Sequence, residues 1–257
     1  MNKFRFLPLI LLAAVASAAA DPSGAELDTI AGSEAPGEYD QGFSGSVSLG
    51  YTATGGNTET SSLDARAGIA YGAGQWYHVG SIEKIRATEG DRVTASSAQA
   101  EAQSDYLFTP NNYGFAHLGY ASDEFGGIER RMSETVGYGR RLLHTPAMTW
   151  SAQIGVGARQ EDVRLTTTGG TYSRNSAIVQ LGSTFSWQFS ENSSFGEGVV
   201  VERGSDSTRI ESATTLTVKM MNDLSLVLAY TIKHNTEVPP PAENTDTYTS
   251  VSIQYTF

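Results

Sequence analysis

The sequence predicts an all-β protein: a closed, antiparallel, up-and-down transmembrane β-barrel of about 12 strands. From residue 43 onward, apolar and polar residues alternate with a period of two in twelve successive segments, each long enough to cross a bilayer as a tilted strand of about 9–11 residues. Tight connections take turns with longer ones, and aromatic residues crowd the end that carries the tight turns. The chain also ends on a strongly β-forming stretch, which would be an aggregation-prone edge unless it is paired.

The first residues have the pattern of a secretory signal peptide. Lys3 and Arg5 give a charged start, an apolar run follows from Phe6 to Val15, and small residues offer a cleavage site near residue 20. The apolar run is shorter than the ~20 residues that a membrane-spanning helix needs. We therefore predict that residues 1–20 are removed when the chain crosses the inner membrane.

The next segment, residues 21–42, has six acidic residues and no lysine or arginine among Pro, Gly and Ser. This composition predicts a flexible periplasmic leader, followed by the barrel over residues 43–257. Without residues 1–20 the formal charge is 15 minus 28, or −13, which argues against a nucleic-acid partner. The absence of cysteine excludes disulfides and thiolate metal sites.

The first two strands follow from two sets of alternating apolar residues. These sets are Phe43, Val47, Leu49 and Tyr51, then Leu63, Ala65, Ala67, Ile69 and Tyr71. The opposite phase carries Ser, Thr, Asp64 and Arg66. Because a membrane barrel turns its apolar residues to lipid, we assign the polar phase to the interior.

Ten further segments share this period. They are 76–87, 93–108, 113–121, 130–142, 148–159, 172–189, 195–203, 208–221, 224–234 and 246–257. The phase of two segments stays open, because Ile82 and Ile85 fall on opposite faces of one, and Phe115 and Leu118 on opposite faces of the other. Either a bulge or a covered face explains each case.

The connections favour a membrane barrel over a soluble sandwich. Tight turns such as "GAGQ" and "TPNN" alternate with loops such as "QEDVRLTTTGGT" and "NTEVPPPAENTD". The aromatic residues near the tight turns and chain ends are Phe43, Tyr71, Trp76, Tyr77, Phe108, Tyr113, Trp150, Trp187, Phe189, Phe195, Tyr255 and Phe257. Tight periplasmic turns with an aromatic girdle, and longer loops outside, are typical of outer-membrane barrels.

The end of the chain predicts closure and assembly. Val251, Ile253, Tyr255 and Phe257 lie on the lipid-facing phase of the last strand, which in a closed barrel pairs with the first. This tail resembles the signal that the barrel-assembly machinery reads in outer-membrane barrels in general. We expect the lipid bilayer and, during insertion, that machinery as partners. The pattern leaves the oligomeric state open.

One stretch, "GYTATGGNTETSSLDARAGIAY", resembles the first hairpin of the salt-induced outer membrane protein family, also called domain of unknown function 481. The family's turn corresponds here to Gly56, Asn57, Thr58, Glu59 and Thr60. "SETVGYGRRLL" and "AQIGVGARQED" are similar to its central glycine-rich strands. The resemblance implies an outer-membrane barrel over 43–257, and it carries over no agreed activity and no catalytic residue. By analogy with the family, a response to salt or osmotic stress is one alternative function.

The histidines and acidic loop motifs predict no enzyme, cofactor or metal site. His78 and His144 fall near the periplasmic interface, and His117 lies in a segment of open phase. His234 falls at the outer rim, where a lipid-modifying barrel would have its active site, but the neighbouring rims offer threonine and no serine. "SDE" at 122–124 and "QED" at 160–162 fall in predicted outer loops without the spacing of a calcium loop.

The interior is the predicted functional region. Its charged candidates are Asp64, Arg66, Glu101, Asp105, Arg159, Arg174, Arg209, Glu211 and Lys219. They support two hypotheses, a narrow channel for ions or small solutes and a structural, stress-responsive barrel whose interior they plug. A lipid-modifying enzyme is the third. Barrels of about eight strands are filled and those of about sixteen are open, so strand number does not decide.

Overall fold

The computed structural model describes residues 42–54, 60–124, 128–165, 170–239 and 243–257. They form twelve antiparallel strands in one closed barrel, in which sequential strands pair and the first pairs with the last. The predicted fold class is confirmed. In the described ranges no helix is long and apolar enough to cross a membrane. Residues 1–41, which include the predicted signal peptide, and Gly56, Asn57, Thr58 and Glu59 of the turn motif lie outside them.

The strand bounds extend several predicted segments. The strands are β1 Gly42–Thr54, β2 Thr60–Ala73, β3 Trp76–Glu89, β4 Arg92–Thr109, β5 Asn112–Asp123, β6 Ile128–His144, β7 Met148–Arg164, β8 Thr171–Ser190, β9 Ser193–Gly204, β10 Thr208–Met221, β11 Leu224–Asn235 and β12 Thr245–Thr256. The placement of "QED" in an outer loop was wrong, because β7 continues through Gln160–Asp162. Of "SDE", the first two residues belong to β5.

Tight turns join the strands at the end we assign to the periplasm. Between β2 and β3, Ala73 pairs with Trp76 and leaves a two-residue turn that begins at Gly74, with φ of 60°. A second two-residue turn joins β3 to β4 at the other end, where Glu89 pairs with Arg92 and Gly90 has φ of 57°. Such hairpins need a positive φ that glycine adopts without strain.

The two segments of open phase resolve without a bulge between the conflicting residues. Ile85 is 9% exposed and points inward, whereas Ile82 is 60% exposed on the outer face. The register shift of β3 comes later, between Ala87 and Thr88. In β5 the buried Phe115 likewise points inward and the exposed Leu118 outward. Both strands therefore carry apolar residues on a covered, inward face.

Most of the outer face is apolar, as expected for a surface that meets lipid, with Glu134 of β6 as an exposed acidic residue on it. Exposed outward residues include Leu49, Ile69, Ile82, Leu118, Val136, Ile154, Val156, Leu181, Leu228, Val251 and Ile253. Trp76, Phe108, Trp150, Trp187, Phe189, Tyr255 and Phe257 are exposed at the tight-turn end. The assignment of Tyr113 to this girdle was wrong, because it is buried beside Phe115 inside the barrel.

The chain terminus closes the barrel. β12 pairs with β1 from Ser46–Thr256 to Gly50–Ser252. Phe257 extends this ladder, since its N–H donates to Gly45 O at 2.9 Å and its O accepts from Gly45 N–H at 2.8 Å. A Cβ on Gly45 would lie 2.7 Å from the Phe257 ring, so glycine leaves room for that ring. The unprotected edge that the last strand would otherwise present is thus paired.

Candidate functional site

The interior contains a layer of paired charges in its extracellular half. Its centre is Glu161 of β7, which is 1% exposed. Three guanidinium groups converge on its carboxylate: Arg131 Nε at 2.8 Å, Arg174 Nη2 at 2.5 Å and Arg159 Nε at 3.5 Å. Alternation along β6, β7 and β8 turns these side chains inward, and the register brings the three strands' upper ends together.

A second set of contacts carries the layer across β9, β10 and β11. Buried Glu202 lies 3.5 Å from Arg159 Nη1 and 3.7 Å from Arg209 Nη1. Arg209 also pairs with Glu211, whose other oxygen is 3.8 Å from Lys233 Nζ. Carboxylates and cations therefore alternate in one chain of contacts. Burying so many charges is tolerable because each contacts an opposite charge.

Two polar groups at the outer rim complete the layer. Arg159 Nη2 donates to the carbonyl and hydroxyl oxygens of Ser207, at 3.2 and 2.5 Å. Arg131 Nη2 donates to Asn235 Oδ1 at 2.9 Å. These bonds reach the connection between β9 and β10 and the end of β11, so the layer also fixes rim segments. We call the set of Arg131, Arg159, Glu161, Arg174, Glu202, Arg209 and Glu211 the charge cluster.

Beside the charge cluster lies a small interior cavity with a volume of about 50 Å³. Arg66, Glu83, Glu101, Glu211 and Lys233 line it, with Gln99 and Tyr248. Arg66 Nη2 lies 2.7 Å from Glu83 Oε1, and Arg66 Nε lies 3.5 Å from Asp64 Oδ1. Lys233 Nζ donates to Gln99 Oε1 and lies 5.3 Å from the centre of the Tyr248 ring. This side of the lumen therefore combines charges of both signs with a small cavity.

The periplasmic half is filled by aromatic and amide side chains. Tyr113 and Phe115 form a buried pair with Leu107 packed against it. A Cβ on Gly139 would lie 2.1 Å from the Tyr113 ring, and one on Gly137 would lie 2.6 Å from the Phe115 ring. The glycine-rich strands noted in the sequence thus make room for two interior rings.

Amide and carboxylate groups lie at the same level of the interior. Buried Gln103 donates to Asp105 Oδ1 at 2.9 Å and to Gln153 Oε1 at 3.5 Å. His117, whose phase was open, also points inward, with Nε2 at 3.8 Å from Glu101 Oε2. The lumen is thus narrowed twice along its length, by the charge cluster above and by this aromatic and amide layer below.

The structure brings together most of the predicted interior residues. Asp64, Asp105, Arg159 and Glu211 are buried, and Arg66, Glu101, Arg174 and Arg209 are half-buried. Lys219 shares the inward phase but is exposed near the periplasmic end of β10, and the structure places it apart from the charge cluster. Val251, Ile253, Tyr255 and Phe257 of the predicted assembly signal are exposed on the outer face.

The charged interior residues that the alternation pattern did not identify include Glu83, Asp123, Arg131, Arg141, Glu161, Glu202 and Lys233. Glu202 and Lys233 share the phase opposite Val201 and Ile232, so alternation alone could have found them. Glu161 was missed because β7 was predicted to end too early. Arg141, at the periplasmic end of β6, is buried and donates to Pro110 O at 3.1 Å.

The other histidines lie at the interfaces. His78 Nδ1 shares a 2.8 Å hydrogen bond with Ser104 Oγ, and its ring stacks on Trp76. His144 is exposed at the end of β6. At the outer rim, His234 Nδ1 shares a 2.8 Å hydrogen bond with Thr245 Oγ1. The hydroxyl beside this rim histidine therefore belongs to a threonine.

A family model described as "Protein of unknown function, DUF481" matches residues 47–257. The chain belongs to this family. It is 28% identical over 262 residues to the uncharacterized protein YdiY of Escherichia coli (strain K12), an alignment that covers 99% of each chain. The predicted family is thereby confirmed.

Solved structures similar to this DUF481 barrel include two porins and a channel. The NanC porin is 12% identical over 82% of this chain and 97% of its own, with a TM-score of 0.49. The KdgM porin is 12% identical over 83% and 99%, with a TM-score of 0.45. An outer membrane channel from Pseudomonas putida F1 is 10% identical over 84% and 95%, with a TM-score of 0.47.

Proposed function

We propose that this DUF481 protein is a narrow passage for ions or small polar solutes through a bacterial outer membrane, reached by export with a cleaved signal peptide. The charge cluster and the aromatic and amide layer narrow the lumen. The apolar exterior, the aromatic girdle at the tight-turn end and the closed seam support this location, because backbone groups in lipid must all be paired.

Accessible charge inside the barrel carries the proposal. The side chains of Arg66, Glu83, Glu101 and Lys233 are 15–19% exposed around the interior cavity. At the centre of the charge cluster, by contrast, Arg159, Glu161 and Glu202 are at most 1% exposed. If the interior were plugged along its whole length, we would expect its charged side chains to be completely buried in ion pairs. Mixed charges beside water are the arrangement that sets ion selectivity in a pore.

A second candidate function is a structural barrel for the envelope under salt or osmotic stress. The complete burial of Arg159, Glu161 and Glu202 favours it, because paired interior charges fix strand positions without conducting. No enzymatic activity is proposed, since the rim histidine, His234, bonds a threonine hydroxyl rather than a serine or a carboxylate.

Single-channel recording across a salt gradient tests the proposal. We expect the refolded wild-type barrel to give small discrete steps, and Arg66→Glu to shift the reversal potential toward cation selectivity, because it leaves Glu83 and Asp64 without a cation. Arg140→Glu, an exposed outward residue of β6, is the matched charge reversal and should leave selectivity unchanged.

If the wild-type barrel shows no conductance, variants that widen both narrow layers are tested next. Both layers have to be widened because they lie in series along the lumen. Arg174→Gln loosens the charge cluster and Tyr113→Ser empties part of the lower layer. Steps from this double variant would show a closed passage. Silence from a double variant that keeps its heat-shifted gel mobility would refute the passage and favour the structural barrel.

A further inference from the structure

Two cations on β3 face outward, toward the membrane. Lys84 pairs in register with Ala65 and Ala98, and Arg86 pairs with Leu63 and Ser96. Both cations are exposed, on the same phase as Ile82. Within the described ranges neither forms an ion pair, whereas Arg130, an outward cation near the start of β6, pairs with Asp162 at 2.5 Å.

Their height matches the outer headgroup region. Lys84 and Arg86 lie eight and ten residues beyond Trp76, the girdle residue at the start of β3. Eight residues of a tilted strand rise about 20 Å along the barrel axis, and the apolar band of such barrels is about 25 Å tall. The two cations therefore lie where the acyl chains of the outer leaflet end and the headgroups begin.

A furrow of small side chains leads down from these cations. Its floor is formed by Ala98, Ala100 and Ala102, the outward residues of β4 below Ser96. Register places Ile82 of β3 on one side of Ala100 and Tyr120 of β5 on the other, with Leu118 beside Ala102. All three flanking side chains are exposed and project past the alanines. We call this furrow the alanine groove.

The cations stand at the upper end of the alanine groove. Lys84 Nζ donates to Ser96 Oγ at 3.0 Å, and Ser96 lies directly above Ala98 on β4. The groove thus offers apolar contact along the membrane interior and two positive charges at its top. A soluble anion would use only the charges. An amphiphile with an anionic head uses both.

We propose that the outer face of β3–β5 binds a phosphorylated lipid of the outer leaflet, with an acyl chain in the alanine groove and a phosphate at Lys84 and Arg86. Phosphate complements the paired cations through charge-assisted hydrogen bonds. The site rests on the outer-membrane location proposed above and not on conduction, so a silent barrel in the recording experiment leaves it intact.

Native mass spectrometry of the full mature chain, refolded in detergent and titrated with diphosphorylated lipid A, tests the site. We expect saturable binding of one lipid to the wild type. Lys84→Gln/Arg86→Gln should weaken it roughly twenty-five-fold, since each cation near an anionic surface contributes about a fivefold factor. Ala100→Phe, which fills the groove and keeps both cations, should weaken it as well.

The controls separate the proposal from general charge attraction. Arg140→Gln removes an exposed outward cation at the periplasmic end of β6 and should bind like the wild type. Equal affinity in the cation double variant, or an equal loss in Arg140→Gln, would overturn the site. Displacement by millimolar inorganic phosphate alone, with no effect of Ala100→Phe, would overturn the lipid as ligand and leave a soluble-anion contact.

Discussion

Removing the charge of Glu161 is expected to be among the most destabilising single changes inside the barrel. Its carboxylate oxygens lie within 3.5 Å of guanidinium nitrogens of Arg131, Arg159 and Arg174. In Glu161→Gln these guanidinium groups lose their shared carboxylate and keep only some of their partners. Arg159 still contacts Glu202 and Ser207, and Arg131 still donates to Asn235. Breaking a buried ion pair from one side costs about 3–5 kcal/mol, so we expect a loss of unfolding free energy of that size.

Urea unfolding in lipid vesicles, followed by heat-shifted gel mobility, measures this loss. Glu129→Gln is the matched control, because Glu129 pairs with Arg164 at 3.8 Å near the rim and both side chains are exposed. An exposed pair contributes about 0–1 kcal/mol and is screened by salt. Added salt should therefore reduce the effect of Glu129→Gln and leave that of Glu161→Gln nearly unchanged.

A second substitution, at Arg174, is expected to rescue part of this loss of stability. Arg174→Gln removes one of the three cations that Glu161→Gln leaves uncompensated, so the double variant should lose less than the sum of the two single losses. Contacting pairs couple by about 0.5–3 kcal/mol. Strict additivity, or a Glu161→Gln barrel as stable as Glu129→Gln, would refute the view that this carboxylate holds the charge cluster together.

Three other changes give separate tests. Gly157→Ala places a Cβ 1.9 Å from Glu134 O and should cost about 1–3 kcal/mol in urea unfolding, whereas Gly80→Ala, with nothing nearer than 3.6 Å, should be nearly neutral. Deleting Phe257 removes its two hydrogen bonds to Gly45 at the seam and the last residue of the proposed assembly signal, so the fraction of folded barrel in cells should fall. Phe257→Tyr keeps these hydrogen bonds and an aromatic terminus, and its folded fraction should match that of the wild type. Val156→Arg puts a charge on the exposed lipid face and should lower the free energy of unfolding by about 2–4 kcal/mol. Unfolding at the same urea concentration as the wild type would contradict this prediction.

Period-two alternation predicted the strands and most of their phases because it follows directly from strand geometry. It left the phases of Ile85 and Phe115 open and placed Tyr113 wrongly in the outer girdle, because the interior itself holds apolar groups at these positions. A rule that assigns polar residues to the interior and apolar residues to the lipid face cannot assign an apolar residue to the lumen. Only the packed structure shows that Gly137 and Gly139 leave the space that these rings fill.

The chain by itself determined a closed membrane barrel, its strand order, its lipid-facing tail and a mixed-charge interior, since these depend on patterns local to each strand. Which charges meet was decided by the tertiary structure. Arg131, Glu161 and Glu202 come from three different strands, and their meeting depends on barrel closure and register. The alanine groove beneath Lys84 likewise exists only because β3, β4 and β5 align their outward residues side by side.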